Sequence, residues 1–106
     1  MSRNHNGFLV ECYWPGMREE QIAALASRAH TAASQLRGQR GRVELAESIF
    51  VPLDETVFWL FEGHEDDVRA VAAEAGITFE RILESLRIDR TKHNRRKSSD
   101  NPKWQQ

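Results

Sequence analysis

The chain has 106 residues, 40% hydrophobic and 29% charged, with a formal net charge of −1. That length gives one domain with one modest core, and the composition lies far from the weakly hydrophobic, highly charged range of disordered chains. No apolar stretch approaches the roughly 18 to 20 residues of a membrane span, and the opening MSRNHNG lacks the apolar run of a secretory signal, so a cytoplasmic protein is expected.

The first element is predicted over Phe8 to Trp14, a short apolar and aromatic run bounded by Gly7 and Pro15-Gly16, which suits a strand with its exit turn. From Arg18 to Arg37, Ile22, Leu25, Ala29, Ala32 or Ala33, and Leu36 recur at spacings of three and four, the pattern of one buried helix face. Glu19 and Glu20 suit the positive end of that helix, and Gly38 is expected to end it in the left-handed conformation. In VELAESIFV, Val43, Leu45, Glu47, Ile49 and Val51 alternate with Glu44, Ala46, Ser48 and Phe50, predicting a second strand. Turn chemistry at Pro52 to Glu55 separates it from a third, TVFWLFE, whose nearly continuous apolar character fits a central strand covered on both faces. Glu65-Asp66-Asp67 then opens a helix carrying Val68, Val71, Ala72 and Ala75, closed by Gly76. A brief turn over Phe79 to Arg81 and a strand from Ile82 to Ile88 complete the order β-α-β-β-α-β.

That order is the α+β, ferredoxin-like split pattern: a four-stranded antiparallel sheet with both helices on one face. Two helices leave the other face bare, although the central strands are apolar on both sides. A homodimer with its sheets facing across a cavity, the dimeric α/β-barrel arrangement, is therefore expected.

The charge is unevenly distributed. Residues 1–89 hold 9 Lys/Arg against 15 Asp/Glu, whereas residues 90–106 hold 6 against 1. The second stretch, RTKHNRRKSSDNPKWQQ, has no aliphatic residue and one aromatic, Trp104, so it is read as a disordered basic tail after a domain spanning 1–89. Arg95-Arg96-Lys97 allows weak contact with nucleic acid, though such runs more often act as solubilising tails. Cys12 is the single cysteine, which excludes an internal disulfide, and no CxxC or Cys/His finger spacing suggests structural zinc.

FLVECYWPG with its Glu-Glu-Gln helix start, SIFVPLDETVFWLFEG and AEAGITFERI together resemble a bacterial family of small ferredoxin-like proteins of unknown function, some of whose members are described as nickel-binding. The resemblance runs from about Phe8 to Ile88. It implies the same fold, a dimer and, as a possible cofactor, nickel or another divalent transition metal.

The residues themselves offer several sites. On a strand, Phe8, Val10 and Cys12 point one way, against the helices, and Leu9, Glu11 and Tyr13 the other. Glu11 would then lie inside the dimer, where a carboxylate needs a cation, a donor, a metal or a proton; an ion pair with Arg42 or Arg81 is the structural alternative. Cys12 is read as a small buried hydrophobe. His64 sits where the second helix begins, Glu47 and Glu62 interrupt the second and third strands, and with Glu11 these form the candidate metal ligands. His30 lies off the apolar stripe, and His5 and His93 occupy the ends.

Two further functions are weighed. A cavity enzyme would use Glu11 as general base with Tyr13 polarising an oxygen. A nucleic-acid module would stack bases on the third-strand aromatics Phe58, Trp59 and Phe61, but the acidic body repels phosphate, so nucleic acid is expected only weakly through the tail.

Overall fold

The structure, a computed structural model, describes residues 4–88. The tail expected over 90–106, and with it the division of the chain after residue 89, lies outside the described residues. The elements are β1 (Asn4–Tyr13), α1 (Glu19–Arg37), β2 (Val43–Val51), a short 3-10 turn (Pro52–Asp54), β3 (Thr56–Gly63), α2 (Glu65–Ala75) and β4 (Arg81–Ile88). All strand pairs are antiparallel and the sheet order is β2-β3-β1-β4, the ferredoxin-like α+β fold.

The core follows strand parity. Val10 and Cys12 on β1, Val57, Trp59 and Phe61 on β3, and Val43 and Leu45 on β2 are buried against Ile22, Leu25, Ala29 and Ala33 of α1 and Val68, Val71 and Ala72 of α2. Small residues on the helix stripes let both helices lie close to a sheet that supplies the bulk, chiefly Trp59 and Phe61, each 0% exposed. Trp14 stands edge-on to Trp59 with ring centroids 6.1 Å apart, and its indole N–H donates to the Thr78 carbonyl at 3.1 Å. Third-strand aromatics available for base stacking are thus reduced to Phe58.

Both helix starts lack a conventional side-chain cap. At α1 the Gln21 side chain compensates by accepting the Arg18 backbone N–H at 2.7 Å. Gly76 closes α2 in the left-handed conformation, φ 82, as expected. Gly38 does not: its φ is −66, and the left-handed residue is Arg40, φ 77, two positions on. The reason is the Leu36 carbonyl, which accepts from Gln39 and Gly41, so the chain makes one further tight turn before leaving the helix.

The second correction concerns β2. Leu45 pairs with Phe61 but Glu47 pairs with Leu60, because a β-bulge absorbs Ala46. Strict alternation puts Glu47 on the same face as Val43 and Leu45. The extra residue turns Glu47, Ile49 and Val51 outward instead and brings Ser48 and Phe50 to the helical side. The bulge keeps an acid out of the core while leaving both halves of the strand paired.

The β3 exit is equally constrained. Gly63, φ 130, lies so close to the Arg42 carbonyl that any Cβ would overlap it, and His64 N–H donates to that same carbonyl at 2.8 Å. Gly63→Ala is expected to lower stability by about 2 kcal/mol or more, read as a drop in the urea midpoint with an unchanged slope.

Candidate functional site

The parity that fills the core also sets the outer face. Leu9, Glu11 and Tyr13 of β1 lie beside Leu60, Phe58 and Thr56 of β3, respectively; on the β2 side Glu47 and Ile49 follow next to Leu60 and Phe58. On the β4 side Arg81 and Leu83 face Glu11 and Leu9. The middle of this face is apolar: Leu9, Phe58 and Leu60 are half-buried, while Ile49 and Leu83 are 47% and 39% exposed. Among the described residues neither helix covers it.

Glu11 is the polar centre of that surface. Its Oε1 accepts from Arg81 Nε at 2.6 Å, the two residues being directly opposite across the β1–β4 ladder. The Glu11 side chain is 25% exposed and that of Arg81 63%, so the pair is open to solvent on the arginine side. Of the two arginines considered from sequence, Arg81 is the partner. Arg42 stands instead beside the start of α2, where its backbone N–H donates to Asp67 Oδ2 at 2.8 Å. An exposed pair of this kind contributes about 0.2 to 1 kcal/mol to stability; its greater effect is to hold the carboxylate in one orientation. Tyr13 lies on the same face one step along β1 and is 53% exposed.

The other candidates do not join it. Glu62 lies opposite Gly7, four residues along β1 from Glu11, or roughly 13 Å at the strand rise. Glu47 stands two strand spacings from β1, about 10 Å away. His64 is the N-cap of α2, where its ring makes no cap bond and approaches Asp67 at 3.9 Å. Among the described residues no three His, Cys, Asp or Glu side chains come together as a metal-binding group. The face does gather three acids at one end, since Glu44 lies directly opposite Glu62 with Glu47 next along β2. Glu44 could not be singled out from sequence, because its significance depends on that register.

Among the described residues, the concavities lie on the helical side and include none of these residues. One, of about 420 Å³, runs between α1 and β2 along Ile22, Ala26 and Phe50; two more, of about 300 and 170 Å³, lie between α1 and α2.

Cys12 is 0% exposed. Burial pushes its thiol up from an ordinary 9.0 to about 12; the nearby Trp59 N–H pulls the other way, and the charges of Glu80 and Glu11 add to the rise. Trp59 Nε1 itself has no hydrogen bond of good geometry, leaving the sulfur as its weak neighbour. A thiol so placed packs as a hydrophobe, in accord with its sequence reading.

No protein-family model and no curated protein matches the chain. Among solved structures, the crystal structure of SCO4226 from Streptomyces coelicolor A3(2) is similar, with a TM-score of 0.57 and 22% identity over 74% of this chain and 94% of SCO4226. The likeness is one of fold.

The Cys12 thiol predicts an alkaline loss of stability. Above about pH 9 the unfolded chain releases the thiol proton while the folded one keeps it, so stability falls as pH rises towards 12. Denaturant unfolding at pH 7, 9 and 10.5 is expected to show a steeper fall for the wild type than for Cys12→Ala, and native Cys12 is expected to resist disulfide reagents at pH 8.

Proposed function

We propose that the protein acts as a homodimer whose outer sheet faces close on one another around a chamber, with the oriented Glu11–Arg81 pair as the polar group in its wall. The contiguous apolar strip of Leu9, Ile49, Phe58, Leu60 and Leu83 carries this reading. A sheet face of a monomer meets water with polar side chains, whereas a continuous apolar one gains from being covered. A small ligand with a polar end and an apolar body suits such a wall: Glu11 accepts, Arg81 and the Tyr13 phenol donate, and the leucines and Phe58 supply the rest.

The ligand class we favour is a divalent transition metal, nickel being the case the family resemblance suggests, held by donors from both copies. What supports it is the repeated use of Glu11, Glu47 and Glu62 on one face. Carboxylates from two subunits suit such ions when imidazole joins them in the shell. One chain alone does not meet the requirement, because its donors stand too far apart. His64, off this face at the α2 start, is the weakest member of the set.

The catalytic alternative has less support, since Glu11 Oε1 is already engaged by a guanidinium at 2.6 Å. Nucleic-acid binding has less still: Trp59 and Phe61 are in the core, and the outer face carries Glu11, Glu44, Glu47 and Glu62. A cytoplasmic location belongs to the proposal. Among the described residues no helix is long and apolar enough to cross a membrane.

Sedimentation equilibrium of the full chain is expected to give a dimer, and Ile49→Glu with Leu83→Glu a folded monomer, because both positions are partly exposed and outside the core. A monomeric wild type at high micromolar concentration would refute the dimer. Calorimetric titration of tag-free protein with nickel is expected to show binding in the wild type and its loss in the double variant; a dimer that binds nickel no better than millimolar would retire the metal assignment and leave the chamber.

A further inference from the structure

We propose that the Glu11–Arg81 pair is the seat of a free α-amino acid with an apolar side chain, whose carboxylate lies on Arg81 and whose ammonium lies on Glu11. This deepens the chamber reading, on which it rests, and is separate from the metal assignment: an ion that drew Glu11 away from Arg81 would dismantle the seat.

The pair has unspent hydrogen-bonding capacity. A guanidinium carries five N–H donors and a carboxylate about four lone-pair sites, and one contact between them uses at most two of each. Among the described residues Glu11 is the side-chain partner of the Arg81 guanidinium, and Arg81 that of the Glu11 carboxylate. The arginine side chain is 63% exposed and that of the glutamate 25%, so the remaining donors and acceptors open onto the outer face. Tyr13, two residues along β1 on the same face and 53% exposed, adds a phenol donor.

Charge decides which ligand completes the pair. Closing the chamber takes water from it, and an enclosed charge needs an opposite one in contact. An anion alone on Arg81 leaves the group net negative, and a cation alone on Glu11 leaves it net positive. A zwitterion leaves it neutral and sets the charges in alternation. An α-amino acid is a zwitterion at neutral pH, with its two charged groups on one carbon, so it suits a carboxylate and a guanidinium that already touch at 2.6 Å.

The surroundings select the side chain. The next rung of the β1–β4 ladder is Leu9 with Leu83, Phe58 lies directly opposite Glu11 on β3, and Leu60 and Ile49 continue the strip. One rung is about 7 Å, so a side chain rising from the seat lies over Leu9, Leu83 and Phe58. An apolar one gains from that contact, whereas a polar one loses water there without a partner.

Calorimetric titration of the full-length protein in EDTA with leucine, isoleucine, methionine, phenylalanine and tryptophan tests the seat, alongside sedimentation of the same samples. At least one is expected to bind with a dissociation constant below about 1 mM. The matching acid without its amino group, and the matching amine without its carboxylate, are expected to bind about tenfold more weakly or worse. Glu11→Gln and Arg81→Gln, which alter a pair outside the core, are each expected to cost about tenfold in affinity. A dimer that binds none of the five overturns the amino-acid seat and spares the chamber. Binding that survives in both variants, or that the acid or the amine reproduces at equal strength, overturns it too. A monomeric wild type refutes the chamber and the enclosed seat with it.

Discussion

The antiparallel register between β1 and β3, with Val10 opposite Trp59 and Glu11 opposite Phe58, decides which side chains meet the helices and which are left outside. Because side chains alternate along a strand, this single alignment commits both central strands at once, and the flanking strands inherit it through their own pairing. Trp59, Phe61 and Val10 are the largest wholly buried side chains, so a slip of one residue would expose them and bury Glu11 and Phe58 in their place. The energy that fixes the core therefore also fixes the composition of the opposite face. Glu11 lies outside because Val10 and Cys12 must lie inside, and Arg81 meets it because β4 pairs in the same frame.

Much of this was legible in the sequence, for identifiable reasons. The helices announce themselves through apolar residues three and four apart, and the acidic first turn and Gly76 bound α2. The two faces of β1 could be assigned because its inward set is purely apolar. Arg81 was one of two arginines that could answer Glu11, and pairing, which is a long-range property, chose between them. What could not be read depends on local events without a residue signature. The bulge at Ala46 leaves no Gly or Pro to mark it, so the alternation through Glu47 looks unbroken although the strand changes face. Likewise, left-handed backbone was expected at Gly38, but the Leu36 carbonyl holds the next turn and passes that conformation to Arg40. Glu11, Glu47 and Glu62 resemble one another as interruptions of apolar runs, and their separation across the sheet follows only from the register.

The electrostatics of the outer face are graded. At the Tyr13 end an acid is matched by an arginine across one strand pair; at the other, acids gather on β2 and β3. A uniformly acidic surface would repel its own copy, and a uniformly apolar one would aggregate. An apolar middle flanked by a matched pair and an acidic border would instead orient the proposed second copy, since electrostatic complementarity acts on register more than on raw affinity. Buried Cys12 and Trp59 on the opposite side take no part in this; they belong to the packing that keeps the face in shape.

The bulged β2 lies at the margin of the sheet, where its free backbone groups could otherwise recruit another strand. Glutamates at 44 and 47 and the break at Ala46 interrupt that row of donors and acceptors, as protected margins do elsewhere. Lateral polymerisation, which would extend the sheet chain by chain without limit, is thereby discouraged. In the proposed dimer, two copies would instead meet face to face about a twofold axis and close on each other, so that growth of the assembly would terminate at a pair rather than running on into a fibre.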